Sequence, residues 1–89
     1  MDIDELIGQI EECARYCRAE GMSVEINYDI PYVAVNLGKN SYGDDIEYYF
    51  QGEEADNLLM DCEQLDCVSE EDYILWQAQG WFRRGVRPS

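Results

Sequence analysis

Between Met22 and Gln51 the chain alternates apolar and polar residues in three short runs, and on both sides of that stretch the apolar period lengthens to three or four. A period of two buries one side of a strand, and a period of 3.6 buries one stripe of a helix, so few architectures satisfy both. Ile3, Leu6, Ile7, Ile10, Cys13, Ala14 and Cys17 predict a first helix over 3–20, with Asp2 and Glu5 spaced as a capping box and Gly21 as its stop. Met22–Tyr28, Tyr32–Leu37 and Ile46–Gln51 predict three strands, separated by the turn formers Asp29-Ile30-Pro31 and by Gly38–Gly43. Connections this short favour an antiparallel meander. After Gly52, Ala55, Leu58, Leu59, Cys62 and Leu65 resume the helical period. Ser69 with Asp72 opens a third helix carrying Tyr73, Ile74, Ala78 and Trp81, ending near Gly80 or Gly85. The expected fold is αβββαα, an α+β domain with a three-stranded antiparallel sheet and helices packed on one face.

The 89 residues allow one domain, taken here as 1–82, with a short basic and frayed C-terminal tail over 83–89. Charge is distributed unevenly. There are 20 Asp and Glu, 6 Lys and Arg, and no His, for a net charge of −14. Between Lys39 and Arg83 lie 12 acids and no base. A surface selected only for solubility intersperses the two signs, because self-repulsion destabilises the compact state. This segment also forgoes the i, i+4 ion pairs that support exposed helices. One reading is a protein kept soluble by its charge; the sharper one is a negative surface shaped to meet a strongly positive one. Direct nucleic-acid binding and an anionic membrane partner are both disfavoured by the sign of the charge. No apolar run approaches a membrane span, and the acidic start Met1–Glu5 is unlike a signal peptide, so a cytoplasmic protein is expected.

The residue inventory leaves little catalytic chemistry. Without His there is no Ser-His-Asp or Cys-His arrangement and no imidazole metal ligand, and the glycines are scattered rather than gathered in a phosphate loop. The acids lie in polar runs, whereas general acid–base work needs one carboxyl desolvated, so no enzymatic role is expected. Cys13/Cys17 and Cys62/Cys67 read as buried reduced thiols, or else as a four-cysteine zinc site bridging the first two helices. No cofactor is expected. Of seven tyrosines, Tyr28 and Tyr48 are expected to face the core. Tyr32 and Tyr49 fall on the opposite sheet face beside Glu25, Asn27, Asn36, Glu47 and Gln51, the make-up of a binding patch and equally of ordinary strand propensity.

The opening Met1-Asp2-Ile3-Asp4-Glu5-Leu6-Ile7 with Ile10, and the cluster Glu70-Glu71-Asp72-Tyr73 in the last helix, resemble a family of small acidic phage anti-CRISPR proteins that inhibit a type II Cas nuclease. The resemblance extends over most of the chain in element order, and at residue level over about ten N-terminal positions and that cluster. It implies a DNA mimic that occupies the groove in which a Cas effector reads the protospacer-adjacent motif (PAM). Asp44, Asp45 and Glu47, together with Glu70, Glu71 and Asp72, would then stand in for phosphates. The four cysteines and Arg83, Arg84 and Arg87 have no counterpart in that pattern, which leaves a type I complex subunit as well as a type II nuclease as target.

Taken together, Asp44, Asp45, Glu47, Tyr49, Glu53, Glu54, Glu70, Glu71 and Asp72 are the nominated partner-binding residues, and the expected partner is a basic nucleic-acid-binding protein such as a CRISPR-Cas effector subunit. A monomer is favoured and a dimer remains open. The alternative is an acidic inhibitor or antitoxin that neutralises a basic nuclease or another DNA-binding enzyme.

Overall fold

Six elements follow in the order α1 (Ile3–Ala19), β1 (Ser23–Asn27), β2 (Tyr32–Lys39), β3 (Asp45–Gln51), α2 (Glu53–Glu63) and α3 (Glu70–Arg83). This computed structural model describes residues 2–64 and 68–86. Asp2 caps α1 by accepting from the Asp4 N–H at 3.4 Å, two residues on instead of the three that a box with Glu5 requires. Ser69 caps α3 through the Asp72 N–H at 3.2 Å, as its spacing predicts. Gly21 and Gly85 end α1 and α3 in the same way. Each has a positive φ, and the two following N–H groups turn back onto the last helical carbonyls: Gly21 to Arg18 and Met22 to Cys17, Gly85 to Phe82 and Val86 to Trp81. Only glycine enters that left-handed region without a Cβ penalty.

The basic end therefore differs from a frayed tail in its first four residues. Arg83 belongs to α3, and Arg84–Val86 form its stop. The Val86 carbonyl accepts from the Tyr48 hydroxyl at 2.6 Å, which ties that stop to the sheet. Residues 87–89 lie outside the described residues.

The strands form one antiparallel sheet in the order β1-β2-β3. Val33, Val35, Leu37, Ile46 and Tyr48 are buried on one face, as the period of two requires. α2 and α3 cover that face, and α1 packs chiefly against α3. α1 and α3 run in opposite directions: Arg18 near the end of α1 pairs with Asp72 at the start of α3, and Gln9 lies across a groove from Arg84. α3 is thus enclosed between a helix and a sheet. This explains why Tyr73, Ile74, Leu75, Ala78 and Gln79 are all buried, more than one stripe of a surface helix provides. Trp81 packs its ring against Tyr48 (5.5 Å) and Phe50 (5.2 Å).

One expectation for the core is corrected. Tyr48 is buried, but Tyr28 is 65% exposed and lies beyond the end of β1. The Asn27 side chain accepts from the N–H groups of Asp29 (2.9 Å) and Ile30 (3.2 Å), an Asx turn that ends the alternation one residue before Tyr28.

Candidate partner-binding surface

The nominated residues fall at two ends of the sheet. At one end, Asn40 organises the β2–β3 hairpin, its side-chain oxygen accepting from the N–H groups of Tyr42 (2.8 Å) and Asp44 (3.1 Å). That turn presents Asp44 and Asp45 to solvent. Asp45 pairs with Lys39 at 3.2 Å, and the side chains are 49% and 66% exposed. Glu47 follows two residues along β3 on the outer face, then Tyr49, which is 40% exposed.

At the other end, about 20 Å along β3, the β1–β2 turn makes one contact with the start of α2 and another with the start of α3, although Glu54 itself lies beside Trp81 near the end of α3. The Gly52 N–H donates to the Pro31 carbonyl at 3.1 Å, placing Glu53 beside that turn at the start of α2. The Tyr28 hydroxyl donates to Glu70 at 2.7 Å, which brings the start of α3 to the same turn. Acids in a first helical turn are favoured there by the helix dipole, so part of this charge has a local structural role. The cluster of three at the start of α3 is divided in its duties. Asp72 is the ion-pair partner of Arg18, Glu70 accepts from Tyr28, and Glu71 is exposed.

The bases are confined to a few places, whereas acids occur on every helix. Arg15 and Arg18 lie on α1, and Arg83 and Arg84 lie at the end of α3 across the groove from it. From Asp45 through α2 to Glu63 there is no base, and the five acids of α2 point away from its buried positions Ala55, Leu58, Leu59 and Cys62.

The outer sheet face brings in residues that were not nominated. No helix packs on it among the described residues. Tyr32 and Tyr49 stack there, with ring centroids 5.6 Å apart and planes at 27°. Glu25 beside the Tyr32 hydroxyl raises its pKa, and the Gln51 amide donates to the Tyr49 oxygen at 2.8 Å. Strand parity carries this signal: Glu25, Tyr32, Glu47 and Tyr49 are all out of phase with the buried positions.

The cysteines form no shared site among the described residues. Cys13 and Cys17 are neighbours on α1 with sulfurs 4.0 Å apart, whereas Cys62 faces the Val68 carbonyl at the same distance. All three are free thiols, and no group of three or more metal-ligating side chains gathers among the described residues. Cys67 lies outside them. Burial, reinforced by Cys17, raises the Cys13 thiol to about 11, and burial likewise raises Cys62. These are protonated, weakly nucleophilic thiols at neutral pH.

Three tyrosines are raised as well: Tyr28 by its hydrogen bond to Glu70, Tyr32 by the neighbouring Glu25, and Tyr48 by burial. In every case the folded state holds the proton more tightly than the unfolded chain. The stabilisation is fully present below the unfolded pKa and is lost as pH rises through the folded one. Denaturant midpoints measured from pH 7 to 11 are therefore expected to stay level to about pH 9 and then fall. A midpoint that rises over that upper range contradicts the assignment.

No helix among the described residues is long and apolar enough to cross a membrane. Compared with known proteins, the chain matches no family model, no curated protein and no solved structure.

Proposed function

We propose that the protein is a non-catalytic, phage-type anti-CRISPR inhibitor: an acidic DNA mimic that binds the PAM-reading groove of a Cas effector in the cytoplasm and blocks docking of target DNA. The observation that carries this reading is the base-free course of β3 and α2, whose acids are all exposed, while the four arginines among the described residues lie on α1 and at the end of α3. Duplex DNA presents one negative charge per ~1.7 Å of axis, and its readers line their grooves with Lys and Arg. Carboxylates fixed on a folded scaffold form bidentate pairs with those arginines in place of phosphates. Long-range attraction between the two surfaces speeds their encounter at low salt.

The test is competition. A guide-loaded Cas effector is presented with a labelled duplex carrying its PAM and titrated with the protein. The duplex is expected to be displaced, and displacement is expected to weaken between 0.1 M and 1 M salt, as the Debye length falls from ~10 Å to ~3 Å. An effector that holds the protein and the duplex together, neither affecting the other, refutes the mimic.

A further inference from the structure

We infer that the outer face of the sheet is a docking site for an arginine side chain of a protein partner, centred on Ala34 and distinct from the acids at the helix N-termini. The register sets its layout. Ala34 lies directly between Glu25 on β1 and Tyr49 on β3, with Tyr32 and Asn36 before and after it on the same face of β2, and Asn36 is paired in turn with Glu47. The centre of the face thus carries a methyl group, and its surround carries two aromatic rings, two carboxylates and an amide. Neighbouring strands are ~4.8 Å apart and the two pairings are offset by two residues along β2, so Glu25 and Glu47 stand on opposite sides of this shallow floor, diagonally about 12 Å apart.

The rings are held in place. Tyr32 and Tyr49 are diagonal neighbours on adjacent strands, a spacing that aromatic side chains bridge; their rings stack, and the Tyr49 hydroxyl accepts from the Gln51 amide. Neither ion pair among the described residues involves Glu25 or Glu47. The four arginines described belong to the α1 and α3 surfaces, and the one lysine is engaged with Asp45 at the hairpin. Among the described residues, no base answers the two carboxylates of this face.

The complementary group is a planar cation. A guanidinium stacks on an aromatic face and pairs with a carboxylate through two parallel N–H groups, whereas an ammonium is a compact, strongly hydrated point charge that does the second poorly. With Ala34 as floor, a guanidinium lying against Tyr49 reaches the Glu47 carboxylate on one side or Glu25 on the other. The inference deepens the reading as a mimic of DNA, because it assigns one arginine of the basic groove to one place on this surface.

A short peptide of three arginines spaced by glycine, compared with its lysine counterpart of equal charge, tests this on the isotopically labelled protein by amide NMR at low salt. The arginine peptide is expected to shift Glu25, Ala34, Glu47 and Tyr49 and to bind about 2- to 5-fold more tightly than the lysine peptide, the size of one exposed cation–π contact. Ala34→Leu fills the floor and is expected to erase that difference. Glu47→Gln, which preserves shape, is expected to reduce it. Equal affinity for the two peptides, or shifts confined to the hairpin and the helix N-termini, overturns the inference. That result is separable from the DNA competition above, which depends on the whole surface and still succeeds if the arginines of the groove dock elsewhere.

Discussion

Replacing Ile74 with alanine is expected to remove about 2–5 kcal/mol of stability and to lower the melting temperature by more than about 10 °C. Ile74 has no solvent exposure and sits in the first half of α3, the helix enclosed between α1 and the sheet. A cavity there is bordered on both sides by packed elements, so neither can collapse into it without releasing the other. A domain of this length has roughly 4–13 kcal/mol in all, which makes the loss at least about a sixth of the total. The matched control is Ile3→Ala. Ile3 is 56% exposed at the start of α1, and its replacement is expected to change stability by less than about 0.5 kcal/mol. Equal losses from the two variants in urea unfolding would mean that α3 is not the central element.

The centrality of α3 was only half legible in the sequence. Period and punctuation were enough to place every helix and strand, because Gly21, Gly52 and Ser69 carry stop and start chemistry that operates locally. They could not indicate that α1 rests on α3, since the stripe Ile10, Ala14, Cys17 is the same whichever surface it meets. The clue lay in α3 itself: Tyr73, Ile74 and Leu75 are consecutive and apolar, which a helix with one solvent face does not need.

Tyr28 was misplaced for a different reason. Its parity continues the strand, but Asn27 closes an Asx turn and releases it toward Glu70. Asn-x-Asp ahead of Pro31 is turn chemistry, so that signal was present and was outweighed by alternation. The pairing of Arg18 with Asp72 had no local signal at all. It spans 54 residues and requires the helices to be docked first. As a result the acid cluster of α3, the plainest candidate in the sequence, is the one whose charge is most engaged internally. The outer-face group of Glu25, Tyr32, Glu47 and Tyr49 was visible in parity alone, because only the face, and not the register, had to be known.

That distinction decides how the negative surface should be tested. Glu47, Glu53 and Glu54 are exposed, lie on β3 and at the start of α2, and take part in neither ion pair among the described residues. Changing all three to lysine is expected to weaken inhibition of the target effector at least about 100-fold, since each close charge pair across a protein interface is worth about 1.5 kcal/mol or more and reversal replaces attraction with repulsion. The comparison variant changes Glu5, Glu11 and Glu12 to lysine, on α1. Each reversal adds two charges, so both variants move the formal net charge from −14 to −8. If a shaped anionic face is what the partner reads, the α1 variant retains inhibition within a few-fold, losing only the long-range part of the attraction, which salt screens. If the two variants lose inhibition equally, the partner responds to total charge, and the arrangement of carboxylates on β3 and α2 has no special standing. Circular dichroism melts on both variants separate this outcome from unfolding, because none of the six positions is buried.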